Sequence, residues 1–246
     1  MLSPRFHHFD EVGSTNDVAL EMAQAGEPEG AVVVARRQLE GRGRRGSRWW
    51  DEPGQSLLMS VILAPGGPVD ELPRLSFVAS LGVAECLQEV CGLDACVKWP
   101  NDVMVGGKKI AGLLVEVAVL PRGSVAVVGI GLNVNQTSFP DELADTATSI
   151  SIETGRTWDV ERITVSVAEH VFSEYDAGGF ADVLRRWRER MWGVGARVEV
   201  TAEGRVVSGI MRGVDSTGAL VVGDDDGNEC VIHAADGLRV VGESSR

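Results

Sequence analysis

The spacing of hydrophobic and polar residues divides the chain into strand-like and helix-like segments. Short β-branched or apolar runs predict strands at residues 31–35, 56–63, 95–98, 109–119 and 125–134. Apolar residues that recur at helical steps predict helices at residues 17–25, 72–90, 160–175 and 180–191. Strands joined by connections as short as the Gly106-Gly107 hairpin cannot be parallel, so we expect a mixed α+β sheet with flanking helices.

After Trp192 the pattern changes to short alternating segments separated by Gly, Asp and Ser. Such a series is typical of a small antiparallel β-barrel. The acidic run at 224–227 lacks the spaced ligands of a calcium-binding loop and is predicted to be a hairpin turn. We therefore predict two domains, residues 1–192 and residues 193–246.

The overall charge, the N-terminus and the cysteines indicate which partners and which cellular location to expect. The chain has 246 residues and a net charge of −13, from 23 Lys and Arg against 36 Asp and Glu. An acidic surface repels nucleic acid and anionic membranes, so we expect neither as a partner. The N-terminus lacks the pattern of a signal peptide, and no apolar stretch is long enough to span a bilayer. With four cysteines and no Cys-x-x-Cys pair, these features predict a cytoplasmic protein with reduced thiols.

Positive charge is concentrated in residues 36–49, which we call the arginine–glycine segment. It carries six arginines: Arg36, Arg37, Arg42, Arg44, Arg45 and Arg48. Like charges this close repel one another unless an anion joins them, and arginine suits two-pronged contact with carboxylate or phosphate. Gly41, Gly43 and Gly46 let the backbone approach a ligand. Taken alone, the segment also fits a solvated charged loop or an RNA-binding tract.

A second cluster follows a predicted strand and reads Lys98-Trp99-Pro100-Asn101-Asp102. The proline fixes a turn, which leaves the asparagine and the aspartate at the strand edge. Lys-Lys-Ile-Ala-Gly follows at 108–112, so Lys109 is either half of a surface pair with Asp102 or a cation beside a reacting carboxylate. Gly-Ile-Gly-Leu-Asn at 129–133 lacks the third glycine of a dinucleotide fingerprint, and neither a P-loop nor a serine nucleophile elbow occurs.

The order and spacing of these motifs closely resemble the biotin–protein ligase family. The motifs are Ser-Thr-Asn at 14–16, Gly-Arg-Gly-Arg-Arg-Gly at 41–46 with Trp49, and the three at 98–102, 108–112 and 129–133. The resemblance covers essentially the whole chain and implies a class II synthetase-like catalytic domain with an SH3-like C-terminal barrel. It implies biotin as substrate, and ATP and Mg²⁺ as cofactors. The implied partner is the biotin carboxyl carrier protein domain of an acyl-CoA carboxylase, and a homodimer is compatible with the family.

The same resemblance implies the site residues. Those expected to bind biotin are Ser14, Thr15, Asn16, Gln38, Gly41, Arg42, Arg44, Lys109 and Gly112. Those expected to bind ATP are Arg44, Arg45, Trp49, Asn101, Lys109 and Asn133. Lys109, Arg42 and Asp102 are the expected catalytic residues, and Asp102 is also the candidate Mg²⁺ ligand.

The chain departs from the family's usual pattern at two places. Leu39 and Glu40 stand where family members often carry Thr or Gln and then Ala, and Glu40 adds a negative charge beside the anion site. The Ser-Thr-Asn motif lies only a few residues from Met1. We therefore expect the monofunctional type of ligase, without the N-terminal DNA-binding domain of the family's repressors.

Two alternative functions share features with biotin ligation. A lipoate–protein ligase would carry a different arginine/glycine motif followed by a His-Asp pair, which is absent here. A catalytically idle biotin-binding module would not need the set of Lys109, Arg42 and Asp102, because binding biotin alone requires no residues on the nucleotide side.

Overall fold

The first part of the chain forms one mixed sheet. This computed structural model describes residues 2–177, 179–202 and 204–241. In these ranges the strands of the sheet are β1 (Arg5–Val12), β2 (Ala31–Gln38), β3 (Ser56–Leu63), β4 (Ala95–Lys98), β5 (Asp102–Val105), β6 (Lys108–Leu120) and β7 (Gly123–Asn133). Their order is β1-β2-β3-β7-β6-β5-β4. β1 and β2 are parallel and the other neighbours are antiparallel, which confirms the predicted mixed sheet.

Helices cover both faces of this sheet. They are α1 (Thr15–Ala25), α2 (Leu75–Cys91), α3 (Ile150–Thr154), α4 (Val160–Asp176) and α5 (Phe180–Glu189). Side chains alternate along β2, so Val33 packs with Ala19 and Ala23 of α1, whereas Val32 and Val34 join the core beneath α2 and α4. None of the helices in the described ranges is long and apolar enough to cross a membrane.

α2 is enclosed between the sheet and α4, with α5 beside it. Of its 17 residues 13 are buried, so the predicted amphipathic helix exists but is apolar on nearly all sides. Trp187 of α5 is fully buried against it and donates from Nε1 to Ser80 Oγ at 3.0 Å. The helical layer is therefore rigidly packed beneath the sheet that carries the site.

The hydrophobic pattern did not predict three elements: β1, β5 and α3. β1 is an edge strand whose residues are exposed or half-buried, so it lacks a regular apolar alternation. β5 has four residues and α3 has five, too few to establish a period. The prediction for α2 also began three residues early, because residues Val69–Arg74 form a 3₁₀ turn before the helix starts at Leu75.

The C-terminal part forms a separate antiparallel sheet. Its strands are β8 (Arg197–Ala202), β9 (Arg205–Val214), β10 (Leu220–Gly223), β11 (Glu229–Ile232) and β12 (Gly237–Val240), in the order β11-β10-β9-β8-β12. The predicted small SH3-like barrel is thereby confirmed. The acidic run at 224–227 is the turn between β10 and β11, closed by a bond from Asp224 N to Asn228 O at 2.9 Å.

The barrel packs against the β4 end of the first sheet. Trp99 Nε1 donates to Gly218 O, and Arg188 Nε donates to Val214 O, both at 3.0 Å. Before the chain enters the barrel, Trp192 N donates to Val97 O at 2.8 Å and covers the edge of β4. Residues 242–246 of the predicted second domain lie outside the described residues.

Gly82 lies where α2 approaches the backbone of α4. A Cβ placed on Gly82 would lie 2.9 Å from both Cα and N of Val171. Because these are backbone atoms, a helix has to shift, and we expect Gly82→Ala to lower the free energy of unfolding by roughly 1–3 kcal/mol in denaturant titrations. Gly13→Ala is the matched control, since a Cβ there meets nothing within 4 Å. Equal stability of the two variants would contradict this packing.

Candidate active site

A cavity of about 350 Å³ lies where the start of α1, the arginine–glycine segment, the β4–β5 turn and the barrel meet. The predicted site residues that line it are Ser14, Thr15, Asn16, Gln38, Arg42, Arg44, Trp49, Asn101, Asp102, Lys109 and Gly112. Its volume suits a small-molecule substrate. The fold thus brings residues from widely separated motifs to one end of the sheet.

The floor of the cavity is made by glycines on β6 and β7. Gly112 and Gly131 are register partners across these strands. A Cβ on Gly131 would lie 2.5 Å from Cε2 of Trp49, and one on Gly112 would lie 2.9 Å from Nζ of Lys109. Any side chain at these two positions would displace the indole or the ammonium. The glycines of the 108–112 and 129–133 motifs therefore let both groups lie directly on the sheet.

One wall of the cavity is built from the first turn of α1 and the end of β2. Gln38 Oε1 accepts from Thr15 N at 2.8 Å and lies 3.0 Å from Thr15 Oγ1. Ser14 occupies the predicted N-cap position, although its side chain makes no capping bond within the described residues. Gln38 supplies an acceptor to the free backbone N–H at the helix start instead. This fixes the Gln38 carboxamide and leaves its amino group for the cavity.

Arg42 is held at the cavity by a carboxylate of α1. Its Nη1 and Nη2 donate to Asp17 Oδ2 and Oδ1 at 2.7 and 2.5 Å, and Glu116 Oε2 lies 3.6 Å from Nη2. The hydrogen bonds from Arg42 lower the pKa of Asp17, and the same bonds raise the pKa of Arg42. Asp17 was not predicted from the sequence. Acidic residues are common in the first turn of a helix, where they interact favourably with the helix dipole, so this one gave no sign of a functional role.

Lys109 and Asp102 form an ion pair inside the cavity lining. Lys109 Nζ lies 2.6 Å from Asp102 Oδ1 and 5.7 Å from the ring centre of Trp49. The Lys109 backbone is fixed on both sides, since its N donates to Thr146 O at 2.8 Å and its O accepts from Thr148 N at 2.9 Å. Of the two interpretations left open by the sequence, this position favours a cation beside a functional carboxylate.

Two further cations, Arg44 and Lys98, also line the cavity. Burial lowers the pKa of Arg44, and the charge of Arg45 lowers it further. Burial likewise lowers the pKa of Lys98, and Lys109 adds to that shift, while the charge of Asp102 opposes it. Lys98 belongs to the Lys-Trp-Pro-Asn-Asp motif but had no predicted role. Cations whose pKa values are lowered in this way favour the binding of an anion.

The barrel contributes a carboxylate to the cavity. Asp236 lines it and forms an ion pair with Arg45 of the arginine–glycine segment. Arg45 itself does not line the cavity, and its φ of 54° lies in the left-handed region. No local sequence signal pointed to Asp236, because its partner is far away in the chain.

Three predicted site residues form hydrogen bonds with the backbone around the cavity. Gly41 O accepts from Trp49 N at 2.9 Å, which closes the base of the arginine–glycine segment outside the cavity lining. Asn133 is buried away from the lining and donates from Nδ2 to Thr148 O at 2.9 Å. Asn101 does line the cavity, and its Nδ2 donates to Leu113 O.

The carboxylates near the cavity do not form a metal cage of their own. In the described part of the chain, no group of three or more His, Cys, Asp or Glu side chains could hold a metal ion. Asp102 and Asp236 are the carboxylates in the described lining. Mg²⁺ commonly uses one or two carboxylates together with the phosphates of a substrate, and the lining supplies carboxylates of this kind.

The fold and the cavity together define a class of protein. A mixed α+β domain gathers cations over a glycine floor and carries a small barrel that reaches the same site, as expected for an enzyme that activates a carboxylate. Residues 9–135 match the model of the biotin/lipoate A/B protein ligase family, and residues 193–239 match that of the biotin protein ligase C terminal domain. The chain belongs to the biotin/lipoate A/B protein ligase family.

Curated relatives are similar over most of the chain. The bifunctional ligase/repressor BirA of Bacillus subtilis is 34% identical over 230 residues, which cover 89% of this chain and 70% of that protein. The biotin–[acetyl-CoA-carboxylase] ligase of Paracoccus denitrificans is 35% identical over 233 residues, which cover 91% of this chain and 95% of that protein.

A solved structure is similar over nearly the whole chain. The biotin protein ligase of Aquifex aeolicus, in complex with biotin and ATP, superposes with a TM-score of 0.83 at 29% identity. The superposition covers 96% of this chain and 99% of that chain. The likeness includes the C-terminal barrel as well as the first sheet.

The position of Trp49 on the glycine floor can be tested by fluorescence. We expect Gly131→Ala to push the indole off the sheet, because the added Cβ would overlap its ring. Acrylamide quenching of the Trp49 signal, obtained by subtracting a Trp49→Phe reference in each background, should then increase. Gly129→Ala is the matched control on the same strand, since the three atoms nearest to a Cβ there all belong to Asn16. Unchanged quenching in Gly131→Ala would disprove the contact.

Proposed function

We propose that this chain is an ATP-dependent biotin–protein ligase, which forms biotinyl-5′-adenylate and transfers biotin to a lysine of a carrier protein. The observation that carries this proposal is the charge of the cavity. Its described lining holds four cations, Arg42, Arg44, Lys98 and Lys109, against the carboxylates Asp102 and Asp236. In this proposal residues 1–192 form the catalytic domain and residues 193–246 form the barrel.

The first half-reaction brings two anions together. An oxygen of the biotin carboxylate attacks the α-phosphorus of ATP, the bond to the bridging oxygen breaks, and pyrophosphate leaves. Lys109 and Arg42 are suited to hold the carboxylate against the α-phosphate, because a charge-assisted hydrogen bond contributes roughly 1.5–3 kcal/mol. Arg42 would exchange Asp17 for the incoming carboxylate. Thr15, Asn16 and Gln38 would bind the polar ring of biotin beside Ser14, Gly41 and Gly112.

The nucleotide would lie on the side of the cavity that faces the barrel. Arg44, Arg45 and Asn101 are suited to the phosphates, and Trp49 to the adenine face. Mg²⁺ would neutralise phosphate charge, and Asp102 is the carboxylate that would hold it. Asn133 would act indirectly, by holding the loop at Thr148 that also fixes the Lys109 backbone.

The second half-reaction transfers the acyl group. The neutral amine of the acceptor lysine attacks the carbonyl carbon of the mixed anhydride, the carbon–oxygen bond to AMP breaks, and AMP leaves. Asp102 is suited to accept the amine proton, since its carboxylate lines the cavity beside Lys109. We propose the carboxyl carrier domain of an acyl-CoA carboxylase as acceptor, on the basis of the relatives named for acetyl-CoA carboxylase.

Incubation with ATP, Mg²⁺ and a purified carrier domain tests the function. With biotin we expect the mass of one biotinyl group on a single lysine, and with lipoate no transfer. Lys109→Ala should reduce the rate roughly 10²–10³-fold, the usual effect of removing a preorganised charge donor. Lys108→Ala is the matched control, because Lys108 is the neighbouring lysine outside the cavity lining, where its Nζ donates to Ala144 O at 3.3 Å. Transfer of lipoate, or of nothing, would overturn the proposal.

The pair of Arg42 and Asp17 predicts an effect on biotin affinity. If the biotin carboxylate takes Arg42 from Asp17, then removing the competing charge should help the ligand. We expect Asp17→Asn to bind biotin roughly two- to fivefold more tightly in calorimetric titration, the scale of a partly exposed ion pair. Glu11→Gln, which breaks the exposed pair with Arg37, is the control and should leave affinity unchanged. Weaker binding by Asp17→Asn would mean that Asp17 positions Arg42 for the ligand instead.

A further inference from the structure

A buried serine lies behind the wall of the cavity and outside its lining. Ser60 stands in the middle of β3 and is 0% exposed, within a run of buried apolar residues that includes Met59 and Val61. Its Oγ lies 2.7 Å from Thr15 Oγ1 and 2.6 Å from Asn16 Oδ1. A hydroxyl enclosed this deeply is retained only when its hydrogen bonds are made. One side chain of the sheet therefore holds both polar residues at the start of α1.

The orientation of Asn16 follows from its other partner. Asn16 is 4% exposed, and its Nδ2 donates to Glu116 Oε2 at 2.6 Å. Because a carboxylate only accepts, the amino group has to face Glu116 and the carbonyl oxygen has to face Ser60. Ser60 thus completes the hydrogen bonding of a buried amide whose other end is already fixed.

Gly129 leaves the space that this arrangement needs. It is the register partner of Ser60 on β7. A Cβ on Gly129 would lie 2.3 Å from Asn16 Oδ1, so the amide lies against the bare backbone there. The first glycine of the 129–133 motif is thereby explained by the packing of Asn16.

The hydrogen bonds continue from Ser60 in two directions. On one side, the Ser60 proton goes to Asn16 Oδ1, so the Thr15 hydroxyl donates to Ser60 Oγ, and Thr15 N donates to Gln38 Oε1. On the other side, Asn16 leads to Glu116, whose carboxylate lies 3.6 Å from Arg42. The residues proposed to bind the ring of biotin and its carboxylate are therefore connected through one hydroxyl.

We propose that Ser60 is a positioning residue of the biotin site, which acts by fixing the side chains of Thr15 and Asn16. This inference rests on the proposed function, since it assigns those two residues to biotin. The ring of biotin carries a urea group with two donors and one acceptor, and such a group is held well only by partners whose direction is fixed. Loss of Ser60 should therefore weaken biotin binding and leave the nucleotide side unaffected.

Steady-state kinetics of Ser60→Ala test this role. We expect KM for biotin to rise about tenfold, with kcat at saturating biotin and KM for ATP within about twofold of the parent chain. Ser80→Ala is the matched control, because Ser80 is also 0% exposed and hydrogen-bonded, to Phe77 O and Trp187 Nε1, but lies on α2. It should lose comparable stability and keep KM for biotin.

A double variant separates positioning from general destabilisation. If Ser60 acts through Asn16, then Ser60→Ala should add little to the KM for biotin of Asn16→Ala, whereas independent effects would multiply. Should Ser60→Ala fail to fold, Ser60→Cys keeps the volume with a weaker donor and should still raise KM for biotin.

The outcomes distinguish this inference from the proposed function. A parent chain that forms no biotinyl adenylate overturns the function itself. A parent chain that is active, with equal KM for biotin in Ser60→Ala and Ser80→Ala, overturns the role of Ser60 alone. Multiplicative effects in the double variant would also overturn it.

Discussion

Repulsion between like charges is the constraint around which the cavity is organised. Four cations line one small space, and their mutual repulsion would push them apart if no negative charge lay beside them. Asp17 holds Arg42, Asp102 holds Lys109, and Asp236 of the barrel holds Arg45 at the rim. These carboxylates keep Arg42, Lys109 and Arg45 in place without filling the site. An anionic substrate can replace a carboxylate partner, so the same charges that bind it are already positioned.

The second constraint is steric and comes from the sheet. β6 and β7 cross the floor of the cavity as register partners, and their glycines at 112, 129 and 131 bring Lys109, Asn16 and Trp49 against the backbone. A side chain at any of these positions would move a functional group. The core beneath, where α2 is packed between the sheet and α4, gives this floor a rigid support.

The position of the barrel explains why a small C-terminal domain belongs to this site. The bond from Trp99 to Gly218 ties it to the Lys-Trp-Pro-Asn-Asp turn, and its 235–238 segment closes one side of the cavity. The arginine–glycine segment is thereby bounded by α1 on one side and by the barrel on the other.

The sequence by itself determined the elements with a strong period, the mixed character of the sheet, the barrel and the motifs that supply most of the cavity. These follow from local spacing, from short connections and from residue chemistry, all of which are visible along the chain. Only the tertiary structure decided which charges are paired. Asp17 and Asp236 reach Arg42 and Arg45 through the fold, and Ser60 meets Thr15 across 45 positions. The tertiary structure also decided that Lys98 lines the cavity and that Asn133 is buried away from the lining. No local pattern encodes this difference, because the burial of a residue depends on chain segments that are distant in the sequence.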